Sequence, residues 1–141
     1  IMNKKYEFPT DRLYYPSGNL WVKSLDNGDY SVGIDSYGME VIGEPAYLVL
    51  NEAGPKLDKD SSIGSLEAAK MTDEIKSPLT GEISEINQRV VENPQMVYDD
   101  PYEAGWLIKI NATNWEKEKG GLIDSNMRKQ LTLKTEEAHQ D

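Results

Sequence analysis

Apolar positions along the first 110 residues fall in short extended runs separated by turn formers, a pattern of strands rather than of helices. Leu20-Trp21-Val22-Lys23-Ser24-Leu25 leads into Asp26-Asn27-Gly28-Asp29, and Tyr30-Ser31-Val32-Gly33-Ile34 follows, which predicts a hairpin closed by an Asn-Gly turn. Ala46-Tyr47-Leu48-Val49-Leu50 is rich in strand formers and is stopped by Asn51-Glu52-Ala53-Gly54-Pro55, so it predicts a buried strand. Gly81-Glu82-Ile83-Ser84-Glu85-Ile86 predicts another. In Trp106-Leu107-Ile108-Lys109-Ile110, alternation sets Trp106, Ile108 and Ile110 on one face, which places Trp106 in the core.

Residues 66–75 are less regular: they lack two-residue alternation and contain good helix formers, so periodicity alone fits a short helix as well as a strand. The flanking Gly64 and Pro78 favour strands, with Lys70 at or near a hairpin tip. Residues 115–131 turn helical and charged, interrupted by Gly120-Gly121, predicting a surface helix from near Leu122. The fold class is therefore all-β, with short peripheral helices and a C-terminal helix.

Composition narrows the chemistry. At 141 residues the chain suits one domain, 1–141, with a core over about 20–131 and a polar tail over 132–141. Its 25 acidic and 15 basic residues give a formal charge of −10, a field that repels nucleic acid and anionic membrane surfaces and favours protein partners. No apolar run approaches the roughly 20 residues of a membrane helix, and the first eight residues do not read as a secretory signal, so a cytoplasmic protein is expected. Cysteine is absent, so any sulfur chemistry is borrowed from a bound group. The single histidine, His139, lies in the polar tail, so neither a catalytic residue nor a metal site is predicted.

The chemical signal is Glu67-Ala68-Ala69-Lys70-Met71, followed by Thr72-Asp73-Glu74-Ile75-Lys76 and the break Ser77-Pro78-Leu79-Thr80-Gly81. A lysine to be acylated must project from a rigid, exposed turn, and small neighbours such as Ala68 and Ala69 leave the approach clear. Acylation removes the charge and lengthens the side chain into an arm, so the protein presents a group rather than catalysing a reaction. A bare solvated lysine in a β-rich interaction module is the reading left if the flanking motifs are ignored.

Those motifs resemble the biotinyl and lipoyl carrier domains and, among them, the H protein of the glycine cleavage system. The resemblance rests on Glu67-Ala68-Ala69-Lys70-Met71, Ser77-Pro78-Leu79-Thr80-Gly81-Glu82-Ile83, Asn93-Pro94-Gln95-Met96-Val97 and Asp100-Pro101-Tyr102-Glu103-Ala104-Gly105-Trp106, in order and spacing, across about residues 20–110. The last motif is the most specific, because simple biotinyl and lipoyl domains are shorter and lack it. The resemblance implies a flattened β-barrel or barrel-sandwich hybrid, lipoic acid in amide linkage on Lys70, and a monomer without catalytic residues. The implied partners are a lipoate ligase or lipoyltransferase, a pyridoxal-phosphate glycine decarboxylase, a folate-dependent aminomethyltransferase and a dihydrolipoyl dehydrogenase. The cytoplasm is implied, or the mitochondrial matrix in a eukaryote, and Glu67, Asp73 and Glu74 shape the acidic surface that partners read.

Two departures matter. Met71 and Glu74-Ile75-Lys76-Ser77-Pro78 are close to biotinyl domains, but Ala69 replaces one flanking methionine of that motif and the chain has the longer H-type frame, which favours lipoylation. The family's His-Glu-Trp motif aligns with Ser17-Gly18-Asn19-Leu20-Trp21, setting apolar Leu20 where an acid helps hold the aminomethyl-loaded arm. A charge-assisted hydrogen bond of about 1.5–3 kcal/mol would be lost there unless Glu74, at a second family acid, compensates. H-like lipoate-binding proteins of sulfur oxidation, whose partners are sulfur-oxidation enzymes, form the alternative.

Overall fold

The computed structural model describes residues 6–54 and 56–138. Its strands are β1 (Leu13–Tyr15), β2 (Leu20–Ser24), β3 (Asp29–Ile34), β4 (Pro45–Leu50), β5 (Lys56–Leu57), β6 (Ser62–Ala68), β7 (Thr72–Lys76), β8 (Gly81–Ile86) and β9 (Ile108–Ala112). The helices are α1 (Ser36–Ile42), α2 (Gln88–Glu92), α3 (Gln95–Asp99), α4 (Trp115–Glu118) and α5 (Ser125–Ala138). A six-stranded antiparallel sheet runs β1-β2-β3-β9-β8-β5, and a second, three-stranded one runs β4-β6-β7. Both contribute to one core, where Val22, Val32, Ile83 and Ile110 of the first meet Leu48, Ile63, Leu66 and Ile75 of the second. Fully burying each such aliphatic side chain contributes about 1.5–3 kcal/mol. This is the predicted all-β, barrel-sandwich architecture with peripheral short helices, a C-terminal helix and Lys70 at a hairpin tip.

Local chemistry accounts for the predicted turns. Asn27 and Gly28 both take positive φ (62° and 77°), the conformation of the Asn-Gly turn, and set the register Ser24 with Tyr30. Gly64 interrupts the register of β6 against β7, and a side chain there would collide with the Val49 carbonyl of β4. The glycine therefore lets the three strands that carry Lys70 close together.

Three readings are corrected. The strand holding Ile108 begins two residues late: the Asn87 side-chain amide takes the carbonyls of Ala104 and Trp106 (2.9 and 2.7 Å), while the Leu107 amide still donates to the Val32 carbonyl (2.8 Å). Trp106 is consequently half-buried, packs at the edge of a small aromatic cluster of Tyr6, Phe8, Tyr14 and Trp21, and carries the Lys109 ammonium 4.9 Å from its ring centre. The C-terminal helix starts at Ser125 rather than near Leu122, since Ile123 exchanges two backbone hydrogen bonds with Tyr14 before it. Residues 132–138, read as tail, are its last turns, with Thr132 buried. His139 lies outside the described residues.

The sequence pattern also left α1 to α3 unspecified. Asp35 starts α1 by accepting from the Gly38 amide (2.9 Å), and Asn87 does the same for α2 at Arg89 (3.2 Å). These three helices run along the lysine-bearing end of the body: α1 packs on α3, and α2 and α3 pack on β4.

Candidate functional site

Antiparallel β6 and β7 pair Glu67 with Thr72, and the Ala68 amide donates to the Met71 carbonyl (2.9 Å), leaving Ala69, Lys70 and Met71 as the turn. Ala69 and Lys70 are exposed, and among the described residues no ion pair holds the Lys70 ammonium. Its stem passes beside Gly43, where an added Cβ would stand 3.6 Å from Lys70 Cε. Gly43 closes α1 at φ 87°, a conformation that favours glycine. A shallow cavity of about 360 Å³ surrounds the stem, with Ile42, Ala68 and Tyr98 on its walls and Glu40 and Glu44 on its rim.

Of the acids singled out with Lys70, Glu67 and Glu74 share the outer face of the three-stranded sheet, since Glu67 opposes Thr72 and Glu74 opposes Ser65. Both are exposed. Asp73 points to the opposite side, beside Leu66, and is half-buried; burial first and the neighbouring Glu74 charge second hold its carboxyl above the usual range.

At the free edge of β7, Asp73 and Glu74 enter a second cavity of about 260 Å³ with Tyr15, Ser17, Asn19 and Asp60. The Tyr15 hydroxyl donates to Asp60 Oδ1 at 2.5 Å, and the Asp60 amide donates to the Ser77 carbonyl at 2.7 Å. Asp60 stands at φ 71°, in the left-handed region that Asp tolerates better than most residues. Leu20 does not face this cavity: it is buried in the core opposite Ile34. The turn Pro16–Gly18 and the left-handed Asn19 (φ 55°) rotate the chain so that Asn19 lines the wall instead. Arg128 of α5 donates to Asn19 Oδ1 (2.8 Å) and holds Asp35 through its Nε (2.9 Å), with both charged side chains buried.

Tyr15, Asn19 and Asp60 were not among the predicted site residues. Only the turn formers around Asn19 gave a local signal, and nothing in sequence couples Asp60 to residues 73 and 74. Conversely, the motifs of the resemblance build the frame. Ser77 closes its turn by donating to the Leu79 carbonyl (2.6 Å), Pro101 accepts from Trp21 Nε1 (3.0 Å), and the Tyr102 carbonyl accepts from buried Arg12 (2.9 Å). Among the described residues no group of His, Cys, Asp or Glu is arranged to hold a metal, and no helix is long and apolar enough to cross a membrane.

A barrel-sandwich body that holds one unpaired, exposed lysine at the tip of a two-strand turn defines the class of lysine-presenting hairpin domains. Residues 13–135 match the profile of the glycine cleavage H-protein family, and the chain belongs to that family. It is 34% identical over 113 residues to a probable glycine cleavage system H protein of Thermococcus kodakarensis, covering 80% of this chain and 84% of the relative. It is 35% identical over 129 residues to glycine cleavage system H protein 5 of Aquifex aeolicus, covering 89% and 86%. The crystal structure of a glycine cleavage system H protein from Mycobacterium marinum superimposes with a TM-score of 0.70 at 31% identity, over 75% of this chain and 87% of that one.

Proposed function

We propose that the chain is a lipoyl carrier of the glycine cleavage system, with lipoate in amide linkage on Lys70, and that it is not itself a catalyst. The observation that carries the reading is the exposed, unpaired Lys70 on the β6–β7 turn of an H-family chain. In loading, the neutral Lys70 amine attacks the carbonyl of an activated lipoyl group, an acyl adenylate or thioester. The amide forms as the adenylate or thiol leaves, and the amine gives up its proton. The residues fit this: among the described residues no ion pair holds the Lys70 ammonium, and Ala69 leaves the approach open. Lipoate on Lys70 would supply the disulfide chemistry that a cysteine-free chain lacks.

Around the second cavity the carboxylates of Asp60, Asp73 and Glu74 outnumber the one ammonium, that of Lys76, which suits a cationic cargo. Glu74 and Asp60 bring carboxylates to its wall although the position beside Trp21 carries none. Asp60 is fixed by Tyr15 and the backbone of Ser77. Asn19 supports the sulfur-carrier alternative, because Arg128 occupies its Oδ1 and leaves its amide nitrogen to donate to an oxygen-bearing cargo.

Intact mass of the protein co-expressed with a lipoate ligase and supplied with lipoate tests the first step: one lipoyl group on Lys70 is expected, and a bare lysine sinks the carrier reading. A biotinyl mass would identify the related carrier class instead. Turnover of glycine by the loaded protein with glycine decarboxylase, aminomethyltransferase and dihydrolipoyl dehydrogenase then tests the pathway. Loading without turnover leaves the sulfur-oxidation partners.

A further inference from the structure

The distribution of exposed apolar side chains is uneven. Six large ones are exposed among the described residues, and four of them, Val41, Tyr47, Val49 and Tyr98, lie on α1, β4 and α3, around the end of the body that carries Lys70. Tyr47 and Val49 are the most exposed, at 67% and 61%, and stand on the same outer face of β4. By register Tyr47 lies beside Glu67 and Val49 beside Ser65, so the two apolar side chains border the strand that runs directly into the Lys70 turn. Tyr98 approaches the same lysine from the other side, on the wall of the cavity around its stem. Strands normally keep such a face polar when it meets only water.

We infer that the outer face of β4 and β6, with Tyr47 and Val49 at its centre and Glu67 at its border, is the docking surface for the enzyme that acylates Lys70. The inference rests on the carrier reading and names the surface that serves it. A loading enzyme must bring its acyl group to the turn, and a lysine preceded by two alanines and followed by the half-buried Met71 offers little to recognise, so its selectivity has to come from the surface leading to the turn. Charge fixes the partner's character. Glu67, Glu74 and Glu44 surround this patch on a chain of net charge −10, so the partner presents an apolar centre with a basic border. A second copy of the chain fits poorly: it carries the same acids, and α2 and α3 pack against β4.

The test compares loading kinetics of the full chain, using a lipoate ligase, lipoate and ATP, for wild type, the double variant Tyr47→Thr/Val49→Thr and the control Met127→Gln on α5. Threonine keeps the strand preference, and melting curves verify the fold. A KM for the carrier raised about tenfold in the double variant, with kcat within about twofold and the control unchanged, is the expected result. KM for wild type also rises with ionic strength. Wild type that loads normally beside a double variant with unchanged KM overturns the docking surface alone, whereas wild type that is never loaded overturns the carrier reading and the inference with it. A wild-type dimer in sedimentation that the double variant dissolves assigns the face to self-association and overturns the inference as well.

Discussion

Two cations of this protein live under opposite terms. Arg128 is buried beneath α5, bonded to Asp35 and Asn19, with its guanidinium 5.4 Å from the centre of the Phe8 ring and 5.3 Å from that of Tyr37. Lys70 stands on a two-strand turn with no acid paired to it among the described residues, its stem beside Gly43. A buried guanidinium must be paired and hydrogen-bonded or it destabilises the fold, so everything around Arg128 is fixed. An amine that has to react must be free of such partners, so the Lys70 turn places no ion pair on the ammonium among the described residues and sets the small Ala69 beside it. The same contrast separates the family motifs, which hold the frame, from the turn they support.

The sharpest break in this comparison comes from Lys70→Arg, which keeps the charge and discards the acylatable amine. Loading read by intact mass falls by more than about 100-fold, while the denaturant midpoint shifts by less than about 0.5 kcal/mol. A large loss of stability would show that the lysine belongs to the frame. Arg128→Ala does the reverse: removing one partner of a buried pair costs about 3–5 kcal/mol in denaturant melts. Loading of the folded fraction stays within about twofold of wild type, because Arg128 bonds to Asp35 and Asn19 rather than to the Lys70 turn.

Smaller effects sharpen the boundary between frame and cavity. Tyr15→Phe deletes the hydrogen bond to Asp60 and lowers stability by about 1 kcal/mol, measurable by thermal melting. Asp73→Asn has the smallest effect. Because folding raises the carboxyl's affinity for a proton, the native state binds more protons than the unfolded chain near that raised value, and stability falls as pH rises through it. The asparagine variant is therefore equal to or up to about 0.5 kcal/mol more stable than wild type at neutral pH, and the difference vanishes in acid, where both carry a neutral side chain. Melts across a pH series check the sign.

Much of the fold was legible because its signals are local. Asn27-Gly28 demanded a turn of positive φ, Gly64 and Pro78 bounded the strands beside Lys70, and both are physical requirements of backbone and side-chain geometry. Trp106 was misjudged because alternation carries no information about Asn87, whose amide takes the carbonyls of Ala104 and Trp106 from a distance of 17 and 19 residues. Residues 132–138 read as tail because they are polar, yet Thr132 is buried beside the arginine that anchors the helix. Leu20 was aligned with the position of a family acid because alignment counts residues, whereas the left-handed Asn19 turns the chain before the strand begins and Leu20 enters the core.

The sequence by itself determined that an exposed lysine sits between two strands in an H-type frame, since turn formers, small neighbours and strand formers act within a few residues of one another. Only the tertiary structure decided what surrounds that lysine. Tyr15 meets Asp60 across 45 residues, Arg128 reaches Asn19 across 109, and Tyr47 comes beside Glu67 through pairing of separate strands. Such contacts follow from packing of the whole core, and no local pattern encodes them.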